Sequence, residues 1–380
     1  MDASAIQTSE FLINEYEEEE EDWLMVKPAR VNAKQLPDHI WENILSGLPI
    51  SSLLKMKSVC KSWRTIINSN TFLTVYKKLP PQDLYFFLFA DYIHKSIAAA
   101  YNPTDNKWVL IPLSHISSSC PSTCCKLRRP IVSHGGLILA EDRKGSLVLF
   151  NPFTKTCRTL PPMMPMKWPY VVAMMGSYDS SFKILAISTT DKISSQVYDY
   201  GRNLWEMSGE FDGRFAMIGS AACLNGFLFC LSHGPDYLLA YDIRMGTWDL
   251  VNGNASIPHV SCSYISEYQG SLILVGGVEE HGAMKSIDIF EFDMRERIWR
   301  LICRMPHHLF IGFGLGKLSH FVTVAHSGRI CFYKNSTSSI MMYDMPANRW
   351  SLLPPCPLDS CLNRPLWFGL AVEPRMDVFV

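Results

Sequence analysis

Three stretches of this chain bring together residue types that can do chemistry. "CPSTCCKL" holds Cys120, Cys124 and Cys125, "PHHL" sets His307 beside His308, and "GFGLGK" strings Gly312, Gly314 and Gly316 before Lys317. A structural zinc needs two Cys/His pairs at fixed spacing, and the nearest histidines, His115 and His134, do not supply one. Neighbouring side chains point apart in a strand, so 307–308 reads as a surface loop rather than a ligand pair. A phosphate loop ends in Lys followed by the Ser or Thr that holds magnesium. Here Leu318 follows Lys317, and the glycines read as an inner strand where sheets crowd together. Neither His-Glu-x-x-His nor Gly-x-Ser-x-Gly occurs. The expectation is a chain without a catalytic residue, metal or cofactor of its own.

Bulk properties narrow the partners. Of 380 residues, 48% are hydrophobic and 12% aromatic, enough for a sizeable core in two unequal domains or one large β-domain. The formal net charge of −1 gives no electrostatic reason to expect nucleic acid or an anionic membrane. No apolar run is long enough to span a bilayer. The start, "MDASAIQTSEFLINEYEEEEEDW", lacks the basic and apolar regions of a secretory signal. The cysteines are then expected to be reduced and mostly buried, and the sequons at Asn254 and Asn335 to be idle.

The elements that must position any site announce themselves by repetition. An aromatic, an Asp or Asn, turn residues and then Trp at an offset of seven appear in "YNPTDNKW" (Tyr101–Trp108), "YDYGRNLW" (Tyr198–Trp205), "YDIRMGTW" (Tyr241–Trp248), "FDMRERIW" (Phe292–Trp299) and "YDMPANRW" (Tyr343–Trp350). A sixth copy, "FNPFTKTC", puts Cys157 where the others have Trp. Successive copies are 43 to 51 residues apart, each preceded by apolar runs and followed by Leu-Pro-like exits. Each unit reads as several short strands with turns between them. The Tyr-to-Trp phrase is the hairpin joining the outer two strands, with the Asp or Asn bonding turn backbone and the Trp filling space between units. A period near 50 with these offsets resembles the kelch pattern of a β-propeller, although only Gly276–Gly277 approaches the family's glycine doublet. About six four-stranded blades are expected over 79–380. The C-terminal "LWFGLAVEPRMDVFV" is expected to pair with the strand near "DLYFFLFA" and close the ring, hiding sheet edges.

Strand alternation within a blade sends the b–c loops and d–a connections to one rim and the a–b and c–d turns to the other. The marker hairpins are c–d turns, so the variable loops fall on the opposite rim. These hold Arg128, Arg129, Trp168, Tyr170, His233, Tyr237, Glu279, His281, Arg304, His307 and His308. Variable loops on a rigid scaffold are where binding usually lives, and Trp, Tyr and Arg often anchor it.

Residues 1–34 are acidic, with six like charges from Glu17 to Asp22, and suit a solvated, disordered tail. A helical module follows over 35–78. Ile40, Trp41, Ile44, Leu45 and Leu48 form one apolar stripe after Pro37, Gly47 and Pro49 end that helix, and a further helix carries Met56, Val59, Cys60, Trp63, Ile66 and Ile67. Three such short helices bury too little surface to stand alone, so their apolar faces must meet the rest of the chain or another protein.

"LPDHIWENILSGLPISSLLKMKSVCKSWRTII" resembles an F-box in its opening Leu-Pro-Asp, its Ile-Leu pair, the Leu-Pro between helices and the Val-Cys-Lys-x-Trp of the last helix. With the repeats that follow, the whole chain resembles the plant F-box/kelch-repeat proteins. The resemblance implies a substrate receptor of a cullin-based ubiquitin ligase, in which the F-box docks on the Skp adaptor and the propeller rim holds a protein target. It implies that Leu36, Pro37, Ile40, Ile44, Leu45, Leu48, Pro49, Leu53, Val59 and Trp63 face the adaptor or support that face. It also implies a cytoplasmic or nuclear setting. Related receptors with a flavin domain carry it ahead of the F-box, and no flavin is expected here. The alternatives are a kelch scaffold whose helical cap packs on the ring and which binds partners without ubiquitin transfer, and, more remotely, a propeller enzyme. The latter needs a convergent metal cluster.

Overall fold

Apolar runs such as "LILA" and "LVLF" have no polar face, because the strands they form are covered on both sides by neighbouring sheets. The computed structural model describes residues 36–80, 82–90, 97–113, 127–165, 170–176, 182–189, 192–213, 215, 217–233, 236–251, 257–315, 320–334, 337–358 and 367–380. The acidic segment 1–34, the Cys120–Cys125 loop, Trp168, Lys317 and both sequons lie outside them. The described strands form six four-stranded antiparallel sheets. The blades run 85–112, 127–159, 170–211, 217–250, 260–304 and 322–352, and the first takes its innermost strand from Trp367–Val372. That strand pairs antiparallel with Tyr85–Ala90, from Tyr85↔Val372 to Ala90↔Trp367. The innermost strands touch one another in cyclic order, so the ring is closed.

The marker phrases are the c–d hairpins, and their chemistry repeats in every blade. Each first aromatic lies directly opposite the Trp across the ladder, as in Tyr101↔Trp108 and Tyr343↔Trp350. Ring centroids of these pairs are 4.5 to 5.3 Å apart, close enough for offset aromatic contact. The following Asp or Asn accepts turn amides through Oδ1: Thr104 N to Asn102 at 3.1 Å, Arg244 N to Asp242 at 2.8 Å, Ala347 N to Asp344 at 3.0 Å. The residue five after the aromatic has a positive φ in all six copies: Asn106, Lys155, Asn203, Gly246, Arg297 and Asn348. This is the left-handed residue that closes a four-residue hairpin loop. Where it is Asn, the Tyr hydroxyl donates to its Oδ1, at 2.8 Å in Tyr101 and Tyr198 and 2.9 Å in Tyr343. Where the aromatic is Phe and has no hydroxyl to satisfy, the residue is Lys155 or Arg297.

The Trp links its blade to the preceding one. Trp108 Nε1 donates to Pro354 O at 2.8 Å and Trp205 Nε1 to Pro161 O at 3.0 Å, so the Leu-Pro exits are acceptors for the next blade. Cys157 keeps the register, opposite Phe150, and is half-buried in the cluster shared by blades 1 and 2. Phe153, from the same hairpin, supplies the missing bulk and meets Phe87 edge-on at 6.0 Å.

The N-terminal module has four short helices: α1 (Asp38–Ser46), α2 (Ile50–Val59), α3 (Lys61–Ile67) and α4 (Asn70–Lys77). The single helix expected across 56–67 breaks at Cys60, which is extended (φ −151°, ψ 162°), and its Sγ accepts Trp63 N at the start of α3. The Asn70–Lys77 segment supplies the additional helix, capped by Ser69 Oγ, which accepts Phe72 N at 3.1 Å. Of the glycines expected to form an inner strand, Gly312 and Gly314 instead end a helix, and Gly316 lies outside the described residues. That helix, α5 (His307–Phe313), lies between blades 5 and 6, and Gly314 terminates it with φ 70°.

The module enters the ring at the a–b end of blade 1, the end that also carries the c–d turns. Leu45, Ile50, Leu53, Ile67, Phe72 and Tyr76 share one core with Tyr85, Phe87, Phe150, Phe153 and Met376. Gln82 bridges the first two helices, accepting Ile50 N at 2.8 Å and donating to Leu48 O at 3.0 Å. The C-terminal strand stops at Val372, and the remaining residues run beneath the module. There the fully buried Asn151 donates through Nδ2 to Arg375 O and Val378 O, both at 2.9 Å, while its Oδ1 accepts Phe153 N at 2.9 Å. Asn151→Ala leaves these buried groups unmatched, each costing about 1–3 kcal/mol. The expected result is destabilisation of about 3 kcal/mol or more, read from the shift of the denaturant midpoint.

Candidate functional site

Two surfaces remain for partners, one on each rim. The first is on the helical module. Pro37 and Pro49 precede α1 and α2, where a missing N–H costs nothing, and their carbonyls accept the first helical amides. The amphipathic stripes then divide. Leu45 and Leu53 turn into the joint core and are at most 2% exposed. Ile40, Leu48 and Trp63 are half-buried, and Trp63 packs on Trp41 with ring centroids 5.4 Å apart. Leu36, Pro37, Ile44, Pro49 and Val59 stay exposed, together with Leu54, which is not among the positions the resemblance carries over. Ile44 is 48% and Val59 60% exposed. The propeller thus seats one side of the module and leaves an apolar side free. Lone exposed apolar residues are ordinary, but several on one small module mark an interaction surface.

The second surface is the opposite rim, formed by b–c loops and d–a connections. Among the described residues, the rim positions suggested by the sequence do not converge on one point. Arg128 and Arg129 begin the inner strand of blade 2 and both bind Glu141, at 3.3 and 2.7 Å. The larger group belongs to blade 5, across the ring. Glu279 is the penultimate residue of strand b, and the exposed His281 sits with Gly282 in a two-residue turn with φ of 53° and 71°. Arg304 clamps the buried Asp288 with two bonds of 2.9 and 2.8 Å, though its side chain stays accessible. His307 and His308 are both exposed but open helix α5, not a loop. Lys334 anchors that helix: its Nζ donates to Gly314 O at 3.0 Å and lies 5.2 Å from the centre of the Phe313 ring, and burial lowers its pKa. Exposed Ile311 on α5 adds an apolar element that sequence spacing did not reveal. Tyr237 turns inward, packing edge-on against Phe215 at 6.1 Å between blades. Tyr170 begins the inner strand of blade 3 and His233 ends strand b of blade 4, but their side chains lie outside the described residues, as Trp168 does entirely.

Among the described residues, neither surface assembles a reactive centre. Among the described residues, no group of three or more His, Cys, Asp or Glu is placed to hold a metal ion. The Cys230 thiol is fully buried and burial pushes its pKa far up, opposite to the shift that activates a nucleophile. Of the described cysteines only Cys60 is exposed. No described helix is long and apolar enough to cross a membrane.

A helical module seated on a closed six-bladed ring defines the class: an F-box followed by a β-propeller. The F-box domain model matches residues 34–75, and the KIB1-4 beta-propeller model matches residues 100–345. The chain belongs to the KIB1-4 beta-propeller family. It is similar to an F-box/kelch-repeat protein of Arabidopsis thaliana, with 24% identity over 85% of this chain and 82% of that protein. F-box only protein 6 of the same plant is 23% identical, covering 90% of this chain and 74% of its own length. Protein UNUSUAL FLORAL ORGANS, also of Arabidopsis thaliana, is 23% identical over 85% of this chain and 79% of its own length.

Proposed function

We propose that this chain is the substrate-recognition subunit of a cullin-based ubiquitin ligase. The exposed side of the F-box, around Leu36, Pro37, Ile44, Leu54 and Val59, docks on a Skp-type adaptor and through it on cullin. The opposite rim holds a protein target. The observation that carries this reading is the division of the F-box helices, with one side built into the propeller core and an apolar side left open. A shared core fixes the distance from adaptor to target by the ring itself rather than by a flexible linker. The target is then held at a high effective concentration near the conjugating enzyme. The chain contributes position and no catalytic group, and it works in the cytoplasm or nucleus.

The blade 5 side of the rim, with His281, Arg304, His307, His308 and Ile311, is the favoured contact for the target. The test is reconstitution with purified full-length chain, Skp adaptor and cullin. Direct adaptor binding and recovery of a target when ubiquitin transfer is blocked support the proposal. A folded chain that binds no Skp-type adaptor refutes it and leaves a propeller scaffold.

A further inference from the structure

Five cations lie on neighbouring elements, the F-box helices α2 and α3 and the adjoining turn of blade 2. Lys55 and Lys57 lie on α2, Lys61 and Arg64 on α3, and Lys155 on the c–d turn of blade 2. Arg64 Nε donates to Lys57 O at 3.0 Å, which draws the two helices' charges together at the α2–α3 junction. Among the described residues none of these five side chains has an ion-pair partner. Half-buried Lys57 is close enough to Lys155 for repulsion to add to burial in lowering its pKa. Two like charges brought together at a folded junction favour an anion between them.

The segment before Leu36 carries complementary charge. It holds nine carboxylates against Lys27, Arg30 and Lys34, and six of the nine are consecutive, from Glu17 to Asp22. Asp22 is 14 residues from Leu36, which itself adjoins α1. Fourteen residues can reach across at most about 46 Å, at about 3.3 Å per residue when extended. A helix of 10 residues such as α2 is only about 15 Å long. The run therefore reaches the cationic junction without strain, at an effective concentration in the mM range. Contacts too weak to bind a separate acidic peptide suffice at that concentration.

We propose that Glu17–Asp22 docks in the same chain on the cationic junction formed by Lys55, Lys57, Lys61, Arg64 and Lys155. Exposed Val59 is at this junction, so the docked run overlaps the apolar side of the F-box. It acts as a weak internal competitor of the adaptor, an extension that rests on the reading given under Proposed function.

Carboxyl-to-amine coupling with a zero-length carbodiimide reagent, mapped by mass spectrometry on the full chain, tests the contact without the adaptor. Bonds from 17–22 should concentrate on Lys55, Lys57, Lys61 and Lys155 and fade in about 0.5 M salt, where screening reaches only a few ångströms. Coupling spread over remote lysines such as Lys183, Lys192 and Lys285 overturns the proposal. So does coupling between heavy and light copies in an isotopically mixed sample, since the occupant is then a second chain. Replacing all six carboxylates by amides leaves every described contact in place and should remove the preferred coupling. The same variant should bind the adaptor about threefold more tightly, as expected when a mM-class contact is removed from a mM effective concentration. Unchanged affinity with the coupling map upheld overturns the competitor role alone. If the unmodified chain binds no adaptor, the functional reading fails while the coupling map still decides the internal contact.

Discussion

Removing residues 367–380 is expected to unfold the propeller rather than shorten it. These residues supply the innermost strand of blade 1, paired along its length with Tyr85–Ala90, and the tail that Asn151 holds beneath the F-box. Without them blade 1 loses the strand that meets blades 2 and 6, and the ring gains two open edges. Val372 and Met376 leave the core shared with the F-box, and Val378 leaves the one between blades 2 and 3. Each such side chain contributes about 1.5–3 kcal/mol, so three approach the whole stability of a typical domain, about 5–15 kcal/mol. The measurement is calorimetric: the truncated chain should show no cooperative transition, and a retained sharp transition would show that closure is dispensable. A milder variant tests the same joint. Gly369 donates its amide to Tyr333 Oη at 2.8 Å, and a Cβ there would lie 2.7 Å from Val324 Cγ2 and 2.8 Å from Tyr333 Cε1. Gly369→Val should therefore lower the melting temperature through overpacking of about 1–3 kcal/mol or more.

The same joint shows how much of the molecule is legible in its sequence. Ring size and strand order could be read because one solution to a local problem is written six times. The hairpin needs an Asp or Asn to hold its amides, a left-handed residue to close it and an aromatic pair across the ladder, so each copy carries the same residue types at fixed offsets. A finer regularity is written there too: three of the four Tyr copies have Asn five residues on, both Phe copies have Lys or Arg, and Tyr241, followed by Gly246, pairs its hydroxyl with Ser208 instead. It follows from the need of a buried hydroxyl for an acceptor. The break at Cys60 was not visible, because Cys continues the apolar stripe and no glycine or proline interrupts it. Only packing of α2 and α3 against different neighbours requires it. The helix at His307–Phe313 had its punctuation, Pro306 before and Gly314 after, but the paired histidines read as a surface loop and the clustered glycines as an inner strand.

For the candidate surfaces, sequence gave residue types but not their partners. Arg129 and Arg304 resemble free anchors along the chain, yet each binds a carboxylate supplied by a neighbouring strand, Glu141 and Asp288. Tyr237 resembles a rim aromatic and is an inter-blade wedge. In the F-box the 3.6-residue period placed Leu45 beside Ile44, but no periodic pattern tells which side of a stripe meets the propeller and which stays open. That depends on Phe153, Met376 and Gln82, the first two about 100 and 300 residues away from the module's helices in sequence.

This division leads to the second large effect. Ile44→Glu combined with Val59→Glu is expected to abolish adaptor binding while leaving the ring intact. Both side chains are about half exposed or more and touch none of the joint core, so the folded state bears little cost; the melting temperature should move by no more than about 2 °C. At a docking surface each buried carboxylate would replace an apolar contact and remain without a partner. Hot-spot substitutions of this kind cost about 2 kcal/mol or more each, so the pair predicts a loss of about 1000-fold. Leu53→Ala is the contrasting control. Leu53 is fully buried where the module meets the propeller, and its truncation should cost about 2–5 kcal/mol of stability, with adaptor binding falling only as the folded fraction falls. Titration calorimetry on the two variants, each corrected for its folded fraction, separates the roles. Full binding by the Ile44/Val59 variant would remove the open side of the F-box as the docking surface. Strong binding loss in a fully folded Leu53→Ala chain would show that the adaptor reads the buried side, which would require the F-box to leave its seat on the propeller before docking.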